Sequence, residues 1–144
     1  MKKIFTLSAG LFLFIVLLSS CRKDDVIVNN EGYWLSKEEG EVVYSDINCS
    51  YYVVETYNGY NIIRTYGGYR PYEGELVYGN FSSAGTRDMY NYTDRTVFTG
   101  TVTDYWLSYN EAMDALDYYC PVYGRAAGEG SGRVFKEATQ IKKK

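Results

Sequence analysis

The chain has 144 residues, with 15 Lys and Arg against 18 Asp and Glu and a formal charge of −3. That length holds one domain of ordinary size. The negative balance excludes the basic footprint of a generic nucleic-acid binder. The lack of histidine removes the commonest general base and the commonest metal ligand.

Lys2 and Lys3 open the chain, and residues 4–18 form an apolar run broken only by Thr6, Ser8 and Gly10. A bilayer span needs about 20 apolar residues, and this run falls short of that. Its basic start and its Leu18-Ser19-Ser20 end read as a cleaved export leader over residues 1–20. Leu18-Ser19-Ser20-Cys21 resembles the lipobox of bacterial lipoproteins, over residues 1–21. The resemblance implies that Cys21 becomes a lipidated N-terminus and that acyl chains such as palmitate anchor the protein to the membrane. Two chains hold stably where one is marginal. Lys23-Asp24-Asp25 resembles the surface-export signal of Bacteroidota lipoproteins, which implies an outer-membrane protein facing the cell exterior. An ordinary solvated tether accounts for the same charges. Loss of Lys2 and Lys3 with the leader leaves 13 basic against 18 acidic residues, a charge of −5.

Residues 21–32 read as the lipidated tether. Tyr33-Trp34-Leu35 is a short aromatic cluster able to dock on the body, and residues 36–40 read as loop. Residues 41–45 form a short strand at most. The two β-rich runs 51–57 and 60–66 flank Asn58-Gly59, which predicts a two-residue hairpin. A type I′ turn would set Tyr57 opposite Tyr60 and Val54 opposite Ile63, with Glu55 and Arg64 diagonal on one face. Further strands are predicted over 75–81, 86–92 and 95–106. In the last of these Phe98, Val102 and Trp106 share a face, and Gly100 marks a bulge or bend. Ser108-Tyr109-Asn110-Glu111 is a capping box. It opens a helix over about 109–119 that stops before Pro121, with Ala112, Ala115, Leu116 and Tyr119 as its apolar stripe. Residues 124–144 read as a flexible, glycine-rich and then basic tail, with Arg133-Val134-Phe135 as a possible last strand.

Five strands and one C-terminal helix give a mainly β fold over residues 33–123. Its form is a small five-stranded barrel or a coiled antiparallel sheet. Residues 73–81, in which a glycine-acid turn starts a strand that bends at a second glycine, resemble the mid-barrel strand of OB-type domains. That resemblance extends over residues 50–107 and implies an OB-like barrel. An Ig-like β-sandwich is the alternative, although it needs about seven strands. Lipidation of Cys21 leaves Cys49 and Cys120, and an oxidising compartment lets an even pair bridge. Two free buried thiols are the other reading.

No Ser-His-Asp or Cys-His pair can form, and residues 51–119 contain no lysine for Ser-Lys chemistry. Carboxylate pairs such as Glu73 with Glu75, or Asp104 with Glu111, are the remaining route to a small hydrolase, and solvated acids explain them as well. Glu111, Asp114 and Asp117 at helical spacing cannot supply the six to eight oxygens of a calcium site. No metal and no cofactor is expected. The candidate ligand residues are aromatic: Tyr66, Tyr69, Arg70 and Tyr72 on one loop, with Tyr90 and Tyr92 on one strand face. Sugar rings stack on such faces, and OB-type barrels bind oligosaccharides; cross-strand packing of tyrosines gives the same pattern. The expected function is a non-catalytic, surface-displayed binding or scaffolding module for a glycan, peptide or envelope protein. A structural accessory subunit of an outer-membrane complex is the alternative.

Overall fold

The computed structural model describes residues 30–121 and 134–138. The leader, Cys21, Lys23-Asp24-Asp25, the glycine-rich 124–132 stretch and residues 139–144 lie outside the described residues.

The chain runs α1 (Glu31–Leu35), β1 (Glu38–Ser45), β2 (Tyr51–Thr56), β3 (Gly59–Thr65), β4 (Leu76–Gly79), β5 (Gly85–Asn91), β6 (Thr96–Leu107) and α2 (Tyr109–Tyr119). The strands close a barrel in the order β1-β2-β3-β6-β5-β4, with β4 paired back to β1. Two antiparallel meanders, β1-β2-β3 and β4-β5-β6, meet along the antiparallel seams β3–β6 and β1–β4. The expected small barrel is present, with six strands instead of five. Closure leaves one continuous sheet where a sandwich would have two.

The added strand is β1, longer than its residues suggest because Glu38, Glu39 and Glu41 dilute its β-propensity. Their carboxylates find partners that local sequence cannot reveal. Glu38 Oε2 accepts the amides of Phe81 (2.6 Å) and Ser82 (2.9 Å). Glu39 Oε2 accepts the Tyr78 hydroxyl at 2.8 Å. The register of β1 on β2 shifts between Val42 and Tyr44, so Val43 is a bulge residue.

The β2–β3 hairpin forms two residues out from the predicted register, with Thr56 opposite Gly59 and Val54 opposite Asn61. A type I′ turn needs positive φ at both central residues. Neither Tyr57 nor Asn58 has one, whereas Gly59 has φ +125°. A Cβ on Gly59 would lie 2.7 Å from the Leu107 carbonyl oxygen, so only glycine lets β3 start against the end of β6. An even slip keeps inward side chains inward, and Val54 and Ile63 stay in the core. Glu55 now opposes Tyr60, and Arg64 opposes Tyr51, in place of the predicted Glu55–Arg64 diagonal.

Gly100 is a spacer where a bend was expected: a Cβ there would meet Ile63 Cγ2 at 3.0 Å and the Tyr52 hydroxyl at 3.1 Å. The irregularities of β6 come later, where its pairing to β3 shifts between Tyr60 and Ile62 and again between Ile62 and Ile63.

Two apolar cores result. Val42, Tyr52, Val54, Ile63, Val77, Phe81, Met89, Phe98 and Val102 fill the barrel. Val43, Tyr44, Cys49, Val53 and Ile62 point outward and are covered by Ala112 and Leu116 of α2 and by Phe135. The predicted capping box starts α2: Ser108 Oγ accepts from the Glu111 amide, and the Glu111 carboxylate accepts from the Ser108 amide. The disulfide Cys49–Cys120, with Cα atoms 5.7 Å apart, ties the loop before β2 to the C-cap of α2. Closing a loop of this sequence separation is worth about 4 kcal/mol in the chain-entropy account. Phe135, placed in the tail by sequence, is buried against the second core, and residues 134–138 form no strand. Glu31 and Gly32, read from sequence as loop-like, belong to α1.

Candidate functional site

The barrel has two rims. One gathers the 46–50 loop, the 66–75 connection and the β5–β6 turn, and it carries most of the sequence-predicted ligand residues. There most of them are engaged by other residues of the barrel. The Tyr69 ring packs on Phe98 at 4.9 Å. Its hydroxyl donates to Asp94 Oδ2 (3.2 Å) and accepts from Asn91 Nδ2 (3.0 Å). Asn91 Nδ2 also reaches Glu75 Oε2 at 2.6 Å, and Glu75 accepts the Tyr72 amide at 2.8 Å. Arg70 donates to the carbonyls of Asp46 and Cys49 and so staples the disulfide-bearing loop. Tyr90 is buried and stacks on Trp34 of α1 at 6.0 Å. Tyr66, Tyr72 and Tyr92 remain exposed, and the Tyr92 ring lies edge-on to Tyr78 at 6.0 Å. Burial and the Asp94 carboxylate raise the Tyr69 hydroxyl pKa. Burial and Glu39 push Tyr78 up strongly.

The proposed carboxylate pairs are likewise committed. Glu73 accepts the Ser45 amide at 3.0 Å, Asp104 accepts the Tyr119 hydroxyl at 2.9 Å, and Glu111 caps α2. Among the described residues, no cluster of three or more His, Cys, Asp or Glu side chains is placed to hold a metal ion.

The other rim holds the feature that sequence reasoning missed. Trp106 is 55 % exposed and adopts φ +59°, a left-handed conformation that is a true outlier for a bulky residue. Two hydrogen bonds hold it there. Its amide donates to Asn61 Oδ1 at 3.3 Å. Asn61 is fully buried, and its Nδ2 faces the Val54 carbonyl (3.1 Å), Thr56 Oγ1 (3.2 Å) and the Gly59 carbonyl (3.2 Å). The indole Nε1 donates to Ser82 Oγ at 3.1 Å, and Ser82 Oγ donates in turn to Glu38. Indole, hydroxyl and carboxylate thus form a chain that ends in the Phe81 and Ser82 amides. Tyr105, also exposed, meets the Trp106 ring edge-on at 5.5 Å.

Beside this rim lies a groove of about 460 Å³ lined by Tyr33, Trp34, Lys37, Asn80, Arg87 and Asp88. The β4–β5 loop touches both: Asn80 lines the groove, and Ser82 bonds the Trp106 indole. Arg87 fixes that loop by donating to Asn80 O (3.0 Å), Ser83 Oγ (2.9 Å) and Ala84 O (2.7 Å). Lys37 Nζ sits 4.3 Å from the centre of the Tyr33 ring. The rim therefore offers held aromatic faces next to amide, carboxylate and cationic groups, a set suited to a ligand with flat apolar faces and many hydroxyls. The adjacent Tyr105-Trp106 at the end of the longest strand was the available signal; the twist that exposes Trp106 depends on Asn61, far away in sequence.

Compared with known proteins, the chain matches no family model, no curated protein and no solved structure.

Proposed function

We propose that this chain is a lipid-anchored, non-catalytic module of the bacterial cell envelope that binds carbohydrate at the Trp106 rim. The observation that carries the reading is Trp106: an exposed indole held at φ +59° by Asn61 and Ser82. Backbone strain of this kind costs about 1–3 kcal/mol and persists where surrounding structure enforces it, most often at functional sites. A side chain locked before ligand arrives loses little entropy on binding. Sugar faces stack on such rings, while Asn80, Asp88 and Lys37 in the neighbouring groove supply hydroxyl partners. The acidic balance disfavours polyanionic ligands.

The anchor rests on the lipobox-like Leu18-Ser19-Ser20-Cys21, and outward display rests on Lys23-Asp24-Asp25. Among the described residues no helix is long and apolar enough to cross a membrane. Metabolic labelling with an alkyne fatty acid should mark the protein and fail to mark Cys21→Ser. Protease shaving of intact cells should remove it if it faces outward.

Glycan-array binding followed by tryptophan-fluorescence titration tests the ligand. Saturable binding that Trp106→Ala abolishes is expected. A barrel that binds no glycan, or binds equally well with Trp106→Ala, sinks the carbohydrate reading.

A further inference from the structure

The second core contains an aromatic box that the carbohydrate reading does not use. Phe135 sits among Tyr44, Tyr60 and Tyr109, with ring centroids at 6.2, 5.5 and 5.1 Å, and is 6 % exposed. The segment that delivers it belongs to no strand or helix. Two of its backbone amides hold it, one on a main-chain carbonyl and one on a side-chain carboxylate. The Lys136 amide donates to the Val43 carbonyl at 2.9 Å, at the residue that the β1 bulge takes out of the ladder. The Ala138 amide donates to the Glu55 carboxylate, which also accepts the Tyr60 hydroxyl. Val134 stays 78 % exposed. A main-chain rail with a pocket for one side chain is how extended peptides are recognised at a sheet.

The rail is acidic. Glu41 and Glu55 are directly opposed on β1 and β2, and Glu41 acts on the Glu55 charge, as does Glu137 of the segment itself. Lys136 brings a cation to this side, its Nζ lying 2.9 Å from where a Cβ on Gly74 would stand. The occupant in place thus displays the chemistry the groove accepts: a phenylalanine anchor followed by a basic residue, with backbone amides that donate to Val43 and Glu55.

We propose that this box is a peptide-binding site held closed in cis by residues 134–138, and that its outside ligand is a short basic peptide with a phenylalanine anchor. One ring and two amides form a small contact, so an outside segment with the same anchor competes when the cis copy is weakened. The cis copy has the advantage of local concentration, which sets the threshold a partner must exceed.

The probe is a fluorescent synthetic peptide spanning residues 132–139, titrated into the full chain. Phe135→Ala should bind it saturably, at least about tenfold more tightly than the wild type, where the cis segment competes. Lys136→Pro removes the amide that donates to Val43 but keeps the anchor ring in the chain. It should also bind more tightly than wild type, which guards against misfolding of the first variant. Adding Tyr60→Ala to either should abolish binding, while Trp106→Ala should leave it unchanged. No binding by Phe135→Ala and Lys136→Pro, or equal binding by these and wild type, overturns the proposal. A mixed wild-type and Phe135→Ala dimer in sedimentation would assign the groove to a second copy and overturn the outside-peptide ligand.

Discussion

Trp106 and Asn61 are coupled, yet their substitutions should act in opposite ways. Asn61 is fully buried and serves four partners across three strands, including the strained Trp106 amide. Truncation to alanine leaves those groups short of partners inside the barrel, at about 1–3 kcal/mol for a buried group left unsatisfied. Asn61→Ala should therefore lower the denaturation free energy by about 2–3 kcal/mol. Trp106→Gly removes an exposed ring and relaxes a φ that only glycine adopts freely. Relief of strain offsets the lost Nε1–Ser82 bond, and chemical denaturation should give a stability within about 1 kcal/mol of wild type. Carbohydrate binding should nonetheless vanish. A Trp106→Gly variant several kcal/mol less stable would make the indole a packing residue and weaken its assignment to ligand.

At the scale of elements, α2 is the cover of the second core, and its start depends on charge. Hydrogen bonds from the Ser108 amide and hydroxyl hold the Glu111 carboxyl below its ordinary 4.5. A lowered folded pKa means that the carboxylate's contribution is fully present above the unfolded pKa and is lost as pH falls through the folded one. Amide exchange in the first turn of α2 should thus accelerate as pH falls below about 4.5 once the intrinsic pH dependence is removed. Glu111→Gln should be less protected at neutral pH and lack that acid dependence. This helix is also where local sequence was most informative, because Ser108, Glu111 and the stripe containing Ala112 and Leu116 all act within a few residues. The β2–β3 hairpin was legible as a hairpin but not in register, since the clash that positions Gly59 comes from Leu107. Strand β1 was legible only in its second half, because Glu38 and Glu39 are satisfied by Ser82 and Tyr78. Among the candidate ligand tyrosines, Tyr69 and Tyr90 pack against Phe98 and Trp34, while Tyr66, Tyr72 and Tyr92 stay exposed. Trp106 needed a long-range partner to become exposed.

For the whole molecule, the tyrosine excess becomes a collective property of the barrel. Tyr52, Tyr60, Tyr69, Tyr78, Tyr90 and Tyr119 all have hydroxyls held above the ordinary 10.0, with burial as the first cause in each. Raised folded pKa values leave this contribution intact below the unfolded pKa of about 10 and remove it as pH rises further. The unfolded chain then sheds protons that the barrel retains, so alkali should unfold the protein cooperatively. Tyrosinate absorbance should rise in two stages: a reversible one near the ordinary tyrosine value of about 10, and a later step coincident with loss of β-sheet circular dichroism. Tyr52 is the sharpest probe, because its hydroxyl lies inside the barrel with the Met89 sulfur at 3.8 Å as its contact. Sulfur is a weak acceptor, so Tyr52→Phe should change neutral-pH stability by no more than about 1 kcal/mol. The same substitution should move the alkaline midpoint upward and shrink the second absorbance step. A single titration near pH 10 with the sheet signal intact would show that water reaches these rings and that the barrel interior is open.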